Sequence, residues 1–137
     1  HNATKVFQAL RIFVNKEITE LINGIINVTK KLKPGGKIIV ISFHSIEDRI
    51  IKYFFSNFSI NKSKPSRYLP ENQNIETALF DKYKNEILTP TKKETDQNKR
   101  SRSAKLRYAI RSDSKFEYPN DLIRKFKKYL DLESINV

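Results

Sequence analysis

The apolar run from Ile38 to Ile41 limits the fold more than any other stretch of the sequence. Consecutive β-branched residues without polar alternation are typical of a strand that is covered on both faces, as in a parallel sheet. The segment from Lys33 to Gly36 precedes the run and ends a helix, because proline cannot continue a helix and glycine accepts the left-handed turn that follows. The sequence therefore predicts an α/β layered fold with a strand over residues 37–43.

Helices are predicted on both sides of this strand. Apolar residues of helical period predict one helix that opens the chain with Asn2 as its N-cap, and a second helix that ends near residue 32. Gly24 lies inside the second helix and predicts the close approach of a neighbouring element, since glycine costs about 1 kcal/mol there relative to alanine. Ser45 and Asp48 have the spacing of a capping box and predict a third helix from Ile46 to about Asn57. The apolar faces of the three helices consist of Val6, Phe7, Leu10, Val14, Ile18, Leu21, Ile22, Ile25, Ile26, Leu32, Ile46, Ile50, Ile51, Phe54, Phe55 and Phe58.

The second half of the chain is more polar. Residues 59–77 contain Pro65 and Pro70 and predict a surface loop, whereas residues 78–88 fit neither a strand nor a helix clearly. Thr91 and Glu94 predict a short capped helix. The alternation from Ser103 to Arg111 predicts a half-buried antiparallel strand with a basic outer face. Its predicted inner residues are Ala104, Leu106, Tyr108 and Ile110, and its outer residues are Lys105, Arg107, Ala109 and Arg111.

A last helix is predicted after Pro119. One of its faces is apolar and the opposite face is basic. The apolar residues are Leu122, Ile123, Phe126 and Leu130, and the basic residues are Arg124, Lys125, Lys127 and Lys128. The basic face is interpreted as solvated, with contact to RNA or to a membrane as the alternative.

The composition excludes several classes of site. No cysteine is present, which excludes disulfides, thiolate metal ligands and thiol nucleophiles, and two histidines cannot form a three-histidine zinc site. A site made of carboxylates alone is not excluded but has no support in the sequence, and we predict no metal. No apolar run approaches the roughly 20 residues that span a bilayer, so we expect a cytoplasmic protein without a membrane partner. The chain begins at His1 rather than at a methionine, which leads us to expect a fragment of a longer protein.

The charge favours a polyanionic partner. The chain has 27 Lys and Arg against 15 Asp and Glu, a formal net charge of +12 at pH 7. Such a field attracts nucleic acid or an acidic membrane surface. The alternative is that the many lysine, isoleucine and asparagine residues reflect an A/T-rich genome.

The first candidate site follows the predicted buried strand, where open α/β sheets bind their ligands. His44 can orient a substrate there or transfer a proton, and a structural role at the strand end is the alternative. A hydrolase that uses Ser45 with His44 is disfavoured, because the sequence lacks the G-x-S-x-G turn and Ser45 is predicted to cap the helix. The only glycines are Gly24, Gly35 and Gly36, and none follows a strand, so no cofactor loop is predicted.

The second candidate site is the basic segment from Lys99 to Arg111, which has six basic residues, Arg111 included, and no acidic residue. Arginine forks and serine hydroxyls are good phosphate ligands. The alternative is a solvated edge whose charge prevents strand pairing. The predicted RNA-binding residues are Arg100, Arg102, Lys105 and Arg107.

Together these motifs resemble one family, the bacterial 16S rRNA (cytosine-N4)-methyltransferases, which use S-adenosylmethionine. The matching segments are residues 1–5, 7–12, 34–36, 41–49 and 100–107, in the order found in the family. The resemblance implies that residues 1–111 are the carboxyl-terminal half of a class I, Rossmann-like methyltransferase domain with an incomplete sheet, followed by a basic tail over residues 112–137. It places the S-adenosylmethionine ligands upstream of this chain, so the chain alone is expected to be inactive.

The resemblance also implies a substrate, a cytosine of the decoding region in 16S rRNA or in the small ribosomal subunit. The exocyclic amine of cytosine is a weak nucleophile, so the base must leave its stack and be held in line with the methyl donor. Phe43, His44 and Ser45 are then expected to shape the pocket, and the basic segment is expected to bind rRNA phosphates. The competing hypothesis is a non-enzymatic basic RNA-binding protein, which explains the charge but not the motif around His44.

Overall fold

The structure is a computed structural model that describes residues 2–60 and 78–135 of the chain. The elements in these ranges are α1 (Asn2–Asn15), α2 (Glu17–Lys31), β1 (Lys37–Ser42), α3 (Ser45–Asn57), α4 (Lys92–Gln97), a 3-10 helix (Lys99–Ser103), β2 (Lys105–Ile110) and α5 (Asn120–Glu133). The strands form a two-stranded antiparallel sheet with Ile38 opposite Ala109 and Val40 opposite Arg107. The α/β class is therefore confirmed, although the sheet seen here is antiparallel. In the described ranges, no helix is long and apolar enough to cross a membrane.

The hydrophobic core lies between α2, α3, α5 and one face of the sheet. Phenylalanine rings form its centre: Phe54 and Phe55 of α3 both contact Phe80 edge to face, with ring centroids 5.1 and 5.2 Å apart. Such contacts add about 0.5–1.5 kcal/mol to the burial of the rings. The predicted apolar faces of α2, α3 and α5 are thus confirmed, and the buried residues are Ile18, Ile22, Ile25, Ile26, Ile38, Ile50, Ile51, Phe54, Phe55, Phe58, Leu79, Phe80, Tyr83, Ala109, Leu122 and Phe126.

Only one face of the sheet is covered by the described residues. Ile38 of β1 faces the core, whereas Ile39 and Ile41 on the opposite face are 61% and 55% exposed. Neighbouring strand residues point to opposite faces, so a strand buried on both sides needs a layer on each. The prediction that both faces of β1 are covered is wrong within residues 2–60 and 78–135.

The two faces of β2 are the reverse of those predicted. Arg107 and Ala109 point into the core, while Leu106 and Tyr108 are only partly buried on the open face. The register explains this arrangement, because Ala109 pairs with the core residue Ile38. A buried arginine requires a compensating partner, which is described below with the basic segment.

The first two helices are separate elements. Lys16 has a left-handed backbone with φ of 51° and interrupts the helix between α1 and α2. The predicted helix at the start of the chain is confirmed, but Asn2 belongs to the helix and is not its N-cap. A Cβ at Gly24 would meet nothing within 4 Å, so the predicted close neighbour is not found among residues 2–60 and 78–135.

The chain after α3 is held by short bridges. Phe80 pairs in parallel with Ser59 and antiparallel with Arg111, and Leu88 pairs with Leu106. The predicted loop over residues 59–77 lies outside the described residues except at 59 and 60. The predicted short helix is confirmed as α4, whose N-cap Thr91 accepts a hydrogen bond from the amide of Glu94.

Candidate active site and RNA-binding residues

The connection from β1 to α3 is fixed by a capping box centred on His44. Nδ1 of His44 accepts a hydrogen bond from the amide of Glu47 at 3.4 Å, and Oε2 of Glu47 accepts from the amides of His44 and Phe43 at 3.2 and 2.8 Å. The box thus starts one residue before the predicted pair, and Ser45 is the first residue of α3 rather than its cap. Each backbone amide that the box satisfies would otherwise be an open donor at the helix end.

The polar atoms of His44 point away from solvent. Its side chain is 6% exposed, and Nε2 lies 3.4 Å from Oε1 of Glu47 and 3.9 Å from Oε2 of Glu17. Because Nδ1 accepts a hydrogen bond, the proton of neutral His44 is on Nε2, directed at these two carboxylates without a well-aligned partner. Arg11 fixes Glu17 through a contact of 2.8 Å from its Nε to Oε1.

Glu17, His44 and Glu47 are close enough to be considered as metal ligands, since one donor atom from each lies within 4.8 Å of the others. A histidine binds a metal through an unprotonated ring nitrogen. The Nδ1 lone pair of His44 is used by the amide of Glu47, and Nε2 carries the proton. The cluster is therefore better suited to hydrogen bonding than to holding a metal ion.

An open groove of about 500 Å³ lies between α1 and the connection that holds His44. Two aromatic side chains on its walls are largely exposed, Phe7 at 71% and Phe43 at 55%. Of the three predicted pocket residues, the structure brings Phe43 and His44 to this groove, and Ser45 is not among its lining residues. The lining residues are Thr4, Phe7, Gln8, Arg11, Phe43 and His44.

The α1 wall of the groove was missed by the sequence analysis. Phe7 was predicted to lie on the apolar face of the first helix, but its side chain is exposed, and Gln8 and Arg11 received no role beyond the segment of resemblance. A signal was present, because α1 carries Lys5 and Arg11 but no acidic residue. Exposed aromatic residues on a helix without acidic residues are typical of a surface that contacts nucleic acid.

In the basic segment, Arg107 does not face solvent. Its side chain is 2% exposed, with Nε 2.7 Å from Oδ1 of Asp48 and Nη2 3.3 Å from Oδ2. Nη1 donates to Oη of Tyr83 at 3.0 Å and to Oδ1 of Asn85 at 2.9 Å. The prediction that Arg107 binds RNA phosphates is wrong, because its side chain is buried and each of its three nitrogens donates to Asp48, Tyr83 or Asn85.

The network also changes the ionisation of its acidic members. Hydrogen bonding from Arg107 lowers the pKa of Asp48 below its ordinary value, against the opposing effect of burial. Burial raises the pKa of the Tyr83 hydroxyl, against the effect of the same guanidinium. At neutral pH the network therefore contains an aspartate, an arginine cation and a neutral tyrosine.

The other three predicted RNA-binding residues differ in accessibility. Arg100 and Arg102 are exposed on the 3-10 helix, which is anchored by the buried Ser101 between them. Lys105 has a half-exposed side chain, and its Nζ lies 3.4 Å from Oδ2 of Asp48. Two arginines thus remain accessible for phosphate contacts, and Lys105 is partly engaged.

The sequence of the chain matches the MraW methylase family over residues 1–112. The chain belongs to the MraW methylase family. This range contains both walls of the groove, the capping box and the basic segment. Helix α5 lies beyond it.

Curated relatives of this MraW-family chain carry the name ribosomal RNA small subunit methyltransferase H. The protein of Bartonella quintana (strain Toulouse) is 51% identical over 114 residues, which is 83% of this chain and 34% of the relative. That of Agrobacterium fabrum (strain C58) is 45% identical over 112 residues, 82% of this chain and 32% of the relative. The chain therefore spans about a third of the length of the curated relatives that it matches.

Proposed function

We propose that this chain is the carboxyl-terminal part of an enzyme that transfers a methyl group from S-adenosylmethionine to the N4 amine of a decoding-region cytosine in 16S rRNA. The observation that carries the proposal is the groove. Phe7 and Phe43 belong to two of the segments that resemble the family, and they are separated in sequence but line one groove. The names of the relatives support small-subunit rRNA as the substrate. We place the proposed enzyme in the cytoplasm.

The open face of the sheet supports an incomplete domain. Ile39 and Ile41 are exposed, and β1 has a strand partner on only one edge among residues 2–60 and 78–135. Exposed apolar strands with a free edge promote association with other strands. In the proposed enzyme, upstream residues add strands beside β1 and a layer over Ile39 and Ile41, which completes a Rossmann-like sheet.

S-adenosylmethionine supplies the electrophilic methyl group, and the described part of the chain has no glycine-rich turn after a strand to hold it. A nucleoside cofactor is held by a glycine-rich turn that follows a strand. The turn after β1 is Phe43 and His44, and the turn with Gly35, at φ of 77°, precedes β1. The cofactor ligands are therefore assigned to upstream residues, and no residue of this chain is assigned to the cofactor.

The proposed role of this chain is to hold the target base and the surrounding RNA. Phe43 and Phe7 offer faces on which an extruded base can stack, and Gln8 can hydrogen bond to its edge. His44 shapes the wall with its ring, because its Nδ1 accepts from the amide of Glu47 and its Nε2 is buried. Arg100 and Arg102 contact phosphates.

The proposal is tested by comparing this chain with the complete protein of which it is part. With S-adenosylmethionine and small ribosomal subunits that lack the modification, the complete protein is expected to form N4-methylcytosine, detected by mass spectrometry of rRNA digests. The chain alone is expected to form none. Methyl transfer to another atom or another RNA would contradict the proposal, and tight rRNA binding by the chain with no transfer by the complete protein would favour the non-enzymatic alternative.

Removal of both accessible arginines is expected to weaken RNA binding by the complete protein. Each phosphate contact releases about one counterion, so Arg100→Ala with Arg102→Ala should reduce the slope of log K against log salt by about two. Filter binding at several salt concentrations measures this slope. The matched control removes Lys92 and Lys93, two exposed charges on the neighbouring α4. An equal change in both double variants would show that only the net charge matters.

A further inference from the structure

The carboxyl-terminal helix α5 supplies a cap to a helix more than a hundred residues earlier in the chain. Glu133 is the last residue of α5 and is 4% exposed. Its Oε1 accepts a hydrogen bond from the amide of Ile18 at 3.0 Å, and its Oε2 accepts from the amide and hydroxyl of Thr19 at 2.8 and 2.6 Å. Both carboxylate oxygens are therefore used at the first turn of α2.

Helix α2 has no cap of its own. The first amides of a helix lack partners within the helix, and a side chain at the N-cap position commonly satisfies one of them. The N-cap residue here is Lys16, whose side chain makes no capping hydrogen bond and whose φ is 51°. The carboxylate of Glu133 satisfies two of these amides and places a negative charge at the positive end of the helix dipole.

The position of Glu133 is itself fixed by the core. Leu122 and Phe126 of α5 are buried, and the ring of Phe126 packs edge to face on Tyr53 with centroids 5.6 Å apart. A carboxylate held by an anchored helix loses little further conformational freedom when it caps α2. The cap therefore ties the start of α2 to a helix that is packed against α3.

The capped turn is directly connected to the groove. Glu17 precedes the two capped residues, pairs with Arg11 of α1 and lies 3.9 Å from Nε2 of His44. Arg11 and Phe7 form part of the α1 wall, and His44 belongs to the opposite wall. The orientation of the first turn of α2 thus sets the direction of α1 on the other side of Lys16. It thereby sets how the two walls of the groove face each other.

We propose that Glu133 is a positioning residue for RNA binding, and that α5 holds the α1 wall of the groove in place by capping α2. This assigns a function to a helix outside the residues that match the family. Its effect on RNA rests on the function proposed above. The cap itself can be tested without any assay of activity.

The test is Glu133→Gln in the complete protein. A glutamine keeps the size but turns an amide group, a donor, toward one of the two backbone donors. Amide hydrogen exchange of Ile18 and Thr19 is expected to accelerate by about tenfold, as for the loss of a charge-assisted hydrogen bond. The KM for RNA is expected to rise by roughly tenfold and kcat at saturating RNA to change less, because the groups of α1 bind the RNA and do not themselves react. Glu117→Gln removes the same charge from an exposed residue before α5 and should change neither quantity.

Thr19→Val replaces Glu133→Gln as the test if the latter does not fold. It keeps both amide hydrogen bonds and removes only the hydroxyl bond, so smaller increases in the exchange rate and in the KM for RNA are expected. Unchanged exchange at Ile18 and Thr19 would overturn the cap. Faster exchange or a lower melting temperature with an unchanged KM would make Glu133 purely structural and overturn the positioning role. If the unsubstituted complete protein does not methylate rRNA, the proposed function fails, while hydrogen exchange still decides the cap.

Discussion

Replacement of Arg107 by alanine is expected to lower the free energy of unfolding by about 3–5 kcal/mol, because it leaves the buried Asp48 carboxylate with only the half-exposed Lys105 as a partner. The loss is large because the guanidinium contacts three partners. Asp48 accepts two of its hydrogen bonds, and Tyr83 and Asn85 accept one each. Urea titration of the complete protein measures the change.

Two comparison variants separate this network from charge and size. Arg102→Ala removes an exposed arginine five positions earlier and should change the free energy of unfolding by less than about 0.5 kcal/mol. Arg107→Lys keeps the charge but not the planar fork, so an intermediate loss is expected. A loss from Arg107→Ala no larger than that from Arg102→Ala would contradict a buried network.

The ion pair between Asp48 and Arg107 also makes the stability of the folded protein depend on pH. The pKa of Asp48 is lower in the folded protein than in the unfolded chain, so the unfolded state binds more protons at acidic pH. This contribution to stability is fully present above the unfolded pKa of about 3.9 and is lost as the pH falls through the lower, folded pKa. In Asp48→Asn, this part of the acid dependence should be absent.

The sequence predicted elements better than it predicted their orientations. The apolar periods of α2 and α3 were sufficient, because each helix shows its core face locally. The predicted faces of β2 were reversed because the buried charge of Arg107 is compensated by Asp48. Asp48 lies 59 positions earlier, and no local pattern reveals that the two residues are partners. Charged residues are predicted outside unless their partner is known.

The candidate site shows the same limit at shorter range. Ser45 is the residue type that statistics favour as a cap, yet His44 occupies the position because β1 ends at Ser42 and the imidazole Nδ1 is also an acceptor. Phe43 and His44 were found because they follow the strand directly. The charge pattern of α1 was a signal, but it does not place α1 beside His44, since that depends on the left-handed backbone of Lys16 between α1 and α2.

The second large effect is expected from removing both aromatic faces of the groove. Phe7→Ala with Phe43→Ala should lower kcat/KM for methyl transfer to small subunits by roughly 100-fold, because stacking contributes about 1–3 kcal/mol per base by alanine substitution. Binding of S-adenosylmethionine should be unchanged, since its ligands are assigned to upstream residues. Steady-state kinetics and calorimetry of cofactor binding measure the two quantities.

The decisive control uses the other exposed apolar residues of α1. Leu10 and Val14 are 53% and 72% exposed and do not line the groove. If the rest of the enzyme covers α1 and Phe7 is part of that contact, then Leu10→Ala with Val14→Ala should impair the complete protein as much as the loss of the two phenylalanines. If Phe7 and Phe43 hold the target base, only the variant without the two phenylalanines should have a lower kcat/KM. Its unfolding midpoint should then equal that of the variant without Leu10 and Val14. Equal losses, or a groove variant with normal kinetics, would remove the groove from the proposed site.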